Sequence, residues 1–180
     1  MRSIYQFLFW IFGWKVRGEI PASLRQYVMI VAPHTSNWDF FVGLAARSIL
    51  KLNIKYVAKK ELFRFPFGWI FKKLGGFPVD RSKNTNFVEA VAELFKQYPD
   101  FSICITPEGT RRYVPKWKTG FYYIALQANI PIIMVGFNYK LKEVNLEPPF
   151  YPTGNIEKDM EFMLSYYRKV PGKFPDKGIK

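Results

Sequence analysis

The sequence predicts a single α/β domain on a mostly parallel mixed sheet flanked by helices, and three observations carry that prediction. Short β-favouring apolar runs alternate with segments of helical period, as in sheets whose strands are joined by helical crossovers. The runs at 27–32, 101–105 and 130–137 are continuously apolar, the pattern of strands buried on both faces. A length of 180 residues suits one domain that needs neither disulfides nor structural metal.

In chain order, Ile4, Phe7, Leu8, Phe9, Trp10, Ile11, Phe12 and Trp14 make an aromatic helix about half the roughly 20 residues a spanning segment needs. No small-residue cleavage site follows it. Residues 1–17 are therefore expected to be a membrane-interface anchor touching lipid through Phe7, Phe9, Trp10, Phe12 and Trp14. A first helix packed on the core fits the same pattern. Residues 18–170 make the domain and 171–180 a polar tail. Within the domain, 27–32 predicts a strand and 39–50 a helix. Residues 55–58 suggest a short strand. The aromatic segment 62–74, with Phe65, Phe67 and Trp69 as further lipid contacts, is broken by Pro66 and stopped by Gly75-Gly76. Residues 77–79 read as a strand, 84–98 as an amphipathic helix capped by Asn84, 101–105 as a strand, 119–128 as a helix and 130–137 as a strand. A Pro-rich connection, a short strand at 150–153 and a helix at 156–169 complete the order.

The chain has 27 Lys and Arg against 14 Asp and Glu, a net charge of +13, which points to an anionic partner. Its 18 phenylalanines and five tryptophans are interleaved with basic residues, which favours a lipid headgroup surface, on the cytoplasmic face of a membrane in a peripheral or monotopic setting. Nucleic-acid module signatures are not legible, and no nucleic-acid partner is expected. One histidine and one cysteine leave no nitrogen or sulfur cluster for zinc, so no metal is expected. Cys104, in an apolar run, reads as a buried thiol.

The single histidine, His34, follows the first strand by two residues and precedes Asp39 by five. An imidazole exchanges a proton near neutral pH, which makes His34 the candidate general base. A strand-turn-helix with Ser36 at the N-cap would put Asp39 at the third helical position, its carboxylate within reach of one ring nitrogen. The same residues resemble a capping box with aspartate for the usual Glu or Gln, a turn that needs no catalysis and is the plainer reading of the local pattern. Two further segments hold chemistry at strand ends. Gly75-Gly76-Phe77-Pro78-Val79-Asp80-Arg81 offers a guanidinium fork for a phosphate, or an ordinary Asp-Arg surface pair. Thr106-Pro107-Glu108-Gly109-Thr110-Arg111-Arg112 offers a carboxylate, a glycine and two guanidinium groups, or a solvated basic loop.

Together, in this order and spacing, the three segments resemble the glycerolipid acyltransferase family that includes the 1-acylglycerol-3-phosphate acyltransferases. The matching blocks are His-x4-Asp at His34 and Asp39, a Gly-x-x-Phe-x-x-Arg-like block ending at Arg81, and Pro-Glu-Gly-Thr-Arg from Pro107 to Arg111. A looser fourth block covers Ile130, Pro131, Ile132 and Ile133, with Met134 where the family often has a second proline. The resemblance implies a glycerol-3-phosphate acyltransferase-like fold. It also implies that His34 deprotonates a lipid hydroxyl, that Asp39 orients it, and that Arg81, Glu108, Gly109, Thr110 and Arg111 bind a phosphate-bearing acceptor. Pro131, Ile132 and Ile133 are then expected to line the acyl site. No cofactor is implied; acyl-CoA or acyl carrier protein serves as co-substrate, and membrane lipids are the partners. The expected reaction moves a fatty acyl group from a thioester to a hydroxyl of a lysophospholipid in phospholipid biosynthesis. A thioesterase-like hydrolase using the same base, and a non-catalytic membrane-surface binding protein, are the alternatives.

Overall fold

A computed structural model describes residues 2–59, 63–64, 66, 68–73, 75–79 and 87–180. Helix α1 (Arg2–Ile11) leads into the short strand β1 (Lys15–Arg17). Then follow β2 (Tyr27–Ala32), α2 (Trp38–Ile49), β3 (Lys55–Lys59), α3 (Gly68–Lys73), β4 (Gly76–Val79), α4 (Phe87–Gln97), β5 (Ser102–Ile105) and α5 (Gly120–Ala128). Strands β6 (Ile132–Asn138) and β7 (Glu143–Leu146) precede α6 (Ile156–Tyr167) and a 3-10 turn at Pro175–Lys177. The seven strands form one mixed sheet in the order β1-β7-β6-β2-β5-β3-β4, with every pairing parallel except β6 with β7.

The continuously apolar runs became the central strands β2, β5 and β6, and all of β2 and β6 is buried. Buried side chains of α4, α5 and α6, among them Val91, Phe95, Phe121, Ile124, Met163 and Tyr167, pack on one face of the sheet with Val28, Ile30, Ile103 and Ile132. Ala45 and Ala46 of α2 and Phe9 of α1 pack on the other with Met29, Val31, Ile133, Val135 and Phe137. The alternation of odd and even positions between the two clusters is the strand period of two.

Three expectations change. Residues 150–153 make a single bridge, Phe150 with Ile132, and the strand that follows β6 is β7, between β6 and β1, whose Glu-Val-Asn-Leu alternates half-buried and buried. An antiparallel strand with only one face fully buried alternates, so β7 lacks the continuous apolar signature of the central strands. Strand β1 was not foreseen either, since Lys-Val-Arg at a sheet edge has one apolar residue. In α1, Phe9 is buried and packs against Trp14, whose ring meets Tyr139 edge-on at 5.0 Å. Phe9 is therefore a core residue and no lipid contact, while Phe7, Trp10 and Phe12 are more than half exposed. The helix both packs on α2 and shows an aromatic face outward. Trp69 is also exposed; Phe65 and Phe67 lie outside the described residues, as does Asn84. No helix among the described residues is long and apolar enough to cross a membrane.

Candidate active site

Ligand sites in parallel sheets lie beyond the carboxyl ends of the strands. Here the neighbouring strands β6, β2 and β5 deliver Tyr139, His34 and Glu108 to the same place. His34 leaves β2 after a cis Ala32–Pro33 peptide, and its Nδ1 lies 3.0 Å from Asp39 Oδ2. The same carboxylate oxygen accepts the backbone N–H groups of Thr35 at 2.8 Å and Ser36 at 2.9 Å. Asp39 Oδ1 accepts the Tyr139 hydroxyl at 2.6 Å. Asp39 is 2% exposed, so these donors replace water completely.

The contacts that each reading asks of Asp39 fall on one carboxylate. The carboxylate closes the turn by taking two backbone amides and, through the same oxygen, holds the imidazole. The helix begins one residue later than expected. Asn37 is the N-cap and makes no side-chain cap bond, and Asp39 is the second helical residue. Ser36 accepts from the Trp38 N–H through its hydroxyl instead of capping the helix. The shift follows from Asp39 drawing the Thr35 and Ser36 amides back toward itself, which keeps both outside the helix.

Burial alone pushes the Asp39 carboxyl up, but the hydrogen bonds from His34, Tyr139 and Ser36 outweigh it and hold the group below the usual carboxylate range. Burial pushes the Tyr139 phenol up, and the Asp39 carboxylate pushes it further, so it stays protonated as a donor. Burial raises the Cys104 thiol to about 12, which leaves it a neutral wall residue.

Glu108 is placed differently from expectation. It is 7% exposed, its Oε1 accepts the His34 backbone N–H at 2.9 Å, and its Oε2 is buried without a hydrogen-bond partner. A buried carboxyl that binds the His34 backbone N–H holds the turn and offers nothing attractive to a phosphate. Burial pushes its pKa above the usual carboxylate range, more than the bond from His34 lowers it. A carboxyl raised in the fold binds more protons folded than unfolded, so its contribution to stability falls as pH rises from the ordinary carboxylate value through the raised one. Replacing Glu108 with Gln removes that dependence and keeps an acceptor for His34. The melting temperature of Glu108→Gln relative to the native chain should therefore climb across the range from about pH 4, the ordinary carboxylate value, upward through the raised one. A constant difference across that range would show that Glu108 titrates alike in both states.

His34 also lines a cavity of about 1030 Å³, at the upper end of the roughly 300 to 1,000 Å³ usual for small-molecule sites. It runs between α2 and the sheet, with apolar walls that include Leu44, Leu50, Val31, Ile54 and Phe137. Gly109, Arg111 and Lys118 stand at it with His34 and Asp39. Gly109 has φ +66°, and a Cβ there would come within 2.9 Å of Lys118 Nζ, so glycine permits both the turn and the lysine's approach. Thr110 does not line this cavity, and its hydroxyl accepts the Arg112 N–H at 3.3 Å. From the fourth block, Ile132 points to the opposite face of the sheet and neither Pro131 nor Ile133 reaches the cavity; Val135 and Phe137 of the same strand do. Arg81 lies outside the described residues. Sequence reasoning missed Tyr139 as a residue of this place. The one signal for Tyr139 was its place just past a central strand. No group of three or more His, Cys, Asp or Glu that could hold a metal exists among the described residues.

Comparison with known proteins bears on this geometry. The acyltransferase family model matches residues 14–138. The 1-acyl-sn-glycerol-3-phosphate acyltransferase of Escherichia coli is 31% identical over 144 residues, 76% of this chain and 58% of that protein. The human 1-acyl-sn-glycerol-3-phosphate acyltransferase beta is 28% identical over 82% of this chain and 55% of its own length. The chain thus spans somewhat over half the length of these relatives. The crystal structure of the 1-acyl-sn-glycerophosphate (LPA) acyltransferase from Thermotoga maritima shares the fold, with a TM-score of 0.64 at 18% identity, covering 92% of this chain and 74% of that one. With most of the chain, from β1 through β6, matched to one family model, the protein belongs to the acyltransferase family.

Proposed function

We propose that this chain transfers a fatty acyl group from a thioester, carried by coenzyme A or acyl carrier protein, to a hydroxyl of 1-acylglycerol-3-phosphate or a related lysophospholipid. The observation that carries the reading is the His34–Asp39 pair at the mouth of a long apolar cavity. His34 Nδ1–H donates to Asp39, which leaves Nε2 to accept the acceptor hydroxyl's proton as its oxygen attacks the thioester carbonyl. The imidazolium then protonates the departing thiolate. The turn's amides at His34, Thr35, Ser36 and Trp38 are committed to Glu108, Asp39 and Ser36. The Asn37 amide, at the cavity wall and the start of α2, is left to face the developing oxyanion. Arg111, with Lys118, is suited to the acceptor phosphate; Arg81 joins them in this reading on its motif alone.

The lipid chains reach this site from a membrane surface, on the cytoplasmic side in this reading. Phe7, Trp10 and Phe12 on α1 and Trp38, Phe40 and Phe41 on α2 are exposed rings on two helices that pack together. A net charge of +13 supplies the attraction to anionic lipid.

Incubating the protein with palmitoyl-CoA, or the palmitoyl carrier protein, and lysophosphatidic acid should give a diacylated lipid by mass spectrometry. Free palmitate alone would identify a hydrolase. The acyl cavity makes a second, independent prediction. A Cβ on Gly43 would lie 3.4 Å from the Phe137 ring, so Gly43→Leu closes the space between α2 and β6. Each methylene excluded from an apolar site costs about 0.8 kcal/mol. Palmitoyl donors should lose about tenfold or more in kcat/KM while octanoyl donors are little affected. Equal loss for both would place the acyl chain elsewhere.

A further inference from the structure

A second cleft, of about 640 Å³, opens beside the catalytic turn. Asn37 and Trp38 form one side, Arg111 and Arg112 a second, and Lys173 and Lys177 of the C-terminal tail a third. Four of these six are cations, and no carboxylate lines the cleft among the described residues. Asn37 and Arg111 also line the apolar cavity, so the two spaces meet at the His34 turn.

The tail that supplies the lysines is tied to that turn. The Tyr139 N–H donates to the Pro171 carbonyl at 3.0 Å, and the Phe174 N–H donates to the Thr35 hydroxyl at 3.2 Å. Gly172 sits so close that a Cβ would come within 2.9 Å of Pro33 and Thr35. Lys173 Nζ lies 4.9 Å from the Trp38 ring centroid, and Lys177 Nζ lies 4.7 Å from that of Phe174. Aromatic faces hold both ammonium groups in place without neutralising them. Both lysines lie beyond the residues that match the family model.

One space is apolar, the other is strongly cationic, and the base stands where they join. A molecule matched to both has a hydrocarbon end, a phosphate-bearing end, and its reactive bond between. An acyl thioester of phosphopantetheine is such a molecule. With its chain in the cavity and its carbonyl at His34, the pantetheine arm leaves through the second cleft. A single acceptor phosphate is already provided for by Arg111 and Lys118 at the cavity mouth and does not need Arg112, Lys173 and Lys177.

We propose that the cleft between the catalytic turn, Arg112 and the C-terminal tail binds the phosphate groups of the acyl donor's phosphopantetheine arm. This rests on the acyl-transfer reading of the site. Guanidinium and ammonium contacts to phosphate are charge-assisted hydrogen bonds, and losing one or two is worth about tenfold or more in binding.

The test compares the native full chain with Lys173→Glu/Lys177→Glu, and with the milder Lys173→Gln/Lys177→Gln, each shown to melt normally. Palmitoyl-CoA and palmitoyl-pantetheine, which has the same thioester and no phosphate, are supplied with lysophosphatidic acid in neutral detergent micelles. Palmitoyl carrier protein is run beside them, and a loss confined to one phosphorylated donor says whose arm the cleft takes. In the glutamate variant, kcat/KM for at least one phosphorylated donor should fall about tenfold or more, with a smaller fall in the glutamine variant. Palmitoyl-pantetheine and the KM for lysophosphatidic acid should be nearly unchanged. An equal fall for all donors, no fall for any, or a rise in acceptor KM alone would overturn the assignment, the last giving the cleft to the acceptor's phosphate. If the native chain transfers acyl groups from no donor at all, the acyl-transfer reading itself has failed and takes this proposal with it.

Discussion

His34→Ala should lower the proposed acyl transfer by about 10² to 10⁴ and leave the protein folded. The rate loss is expected because, in the proposed reaction, the imidazole takes the hydroxyl proton. The survival of the fold follows from the contacts that remain. Glu108 binds the backbone N–H of residue 34, which alanine retains. Asp39 keeps the amides of Thr35 and Ser36 and the Tyr139 hydroxyl. His34 is only partly buried, so the ring leaves a solvated notch and no sealed void. Kinetics beside a thermal melt separate the two effects, and a variant that unfolds would return the turn to a purely structural role.

Asp39→Ala is expected to be the more damaging substitution, because it removes both functions of one carboxylate. Two amides and a phenol lose their acceptor in a buried place, at about 1 to 3 kcal/mol for each group left unsatisfied. A fall in stability of several kcal/mol is therefore expected with the loss of activity, a large share of the roughly 5 to 15 kcal/mol that keeps a domain folded. Asp39→Asn keeps one oxygen for the amides and should cost far less stability. It still loses the negative charge that stabilises the imidazolium, so activity should fall by about 10² or more. The native chain and Asp39→Asn also differ in acid. A carboxyl depressed in the fold contributes stability that is present above its unfolded pKa and lost as pH falls through the folded value. Below about pH 4 the native chain should lose its advantage over Asp39→Asn, and melts from pH 7 downward measure it. An advantage that persists at low pH would mean that the Asp39 charge is not what stabilises the turn.

The parts of the site that were legible in the sequence are local. His34 and Asp39 sit five residues apart in one strand-turn-helix, where spacing alone limits what they can reach. Glu108 was legible as a residue of interest but not in its role, because its contact with His34 exists only once β5 lies beside β2. Tyr139 is a hundred residues from Asp39 in sequence, and no periodicity announces their hydrogen bond. The helical face of α1 was ambiguous for a related reason. A helix apolar nearly all round does not say which ring faces inward, and packing on α2 chose Phe9. In the fourth block, the strand was visible but its two faces were not. Continuous apolarity hides the period-two assignment that sends Ile132 to one side and Val135 to the other.

The tail at 171–180 reads as polar and unremarkable, yet it packs on the His34 turn and brings two lysines to it. Its contacts are made by Gly172 against Pro33 and by the Phe174 amide, features with no sequence period at all.

The most direct test of the central claim is thiol release from palmitoyl-CoA, and in parallel from the palmitoyl carrier protein, with and without lysophosphatidic acid. Acyl transfer through His34 predicts release that depends on the acceptor and disappears in the folded His34→Ala variant. Release at the same rate without acceptor, or release that His34→Ala leaves intact, would contradict it.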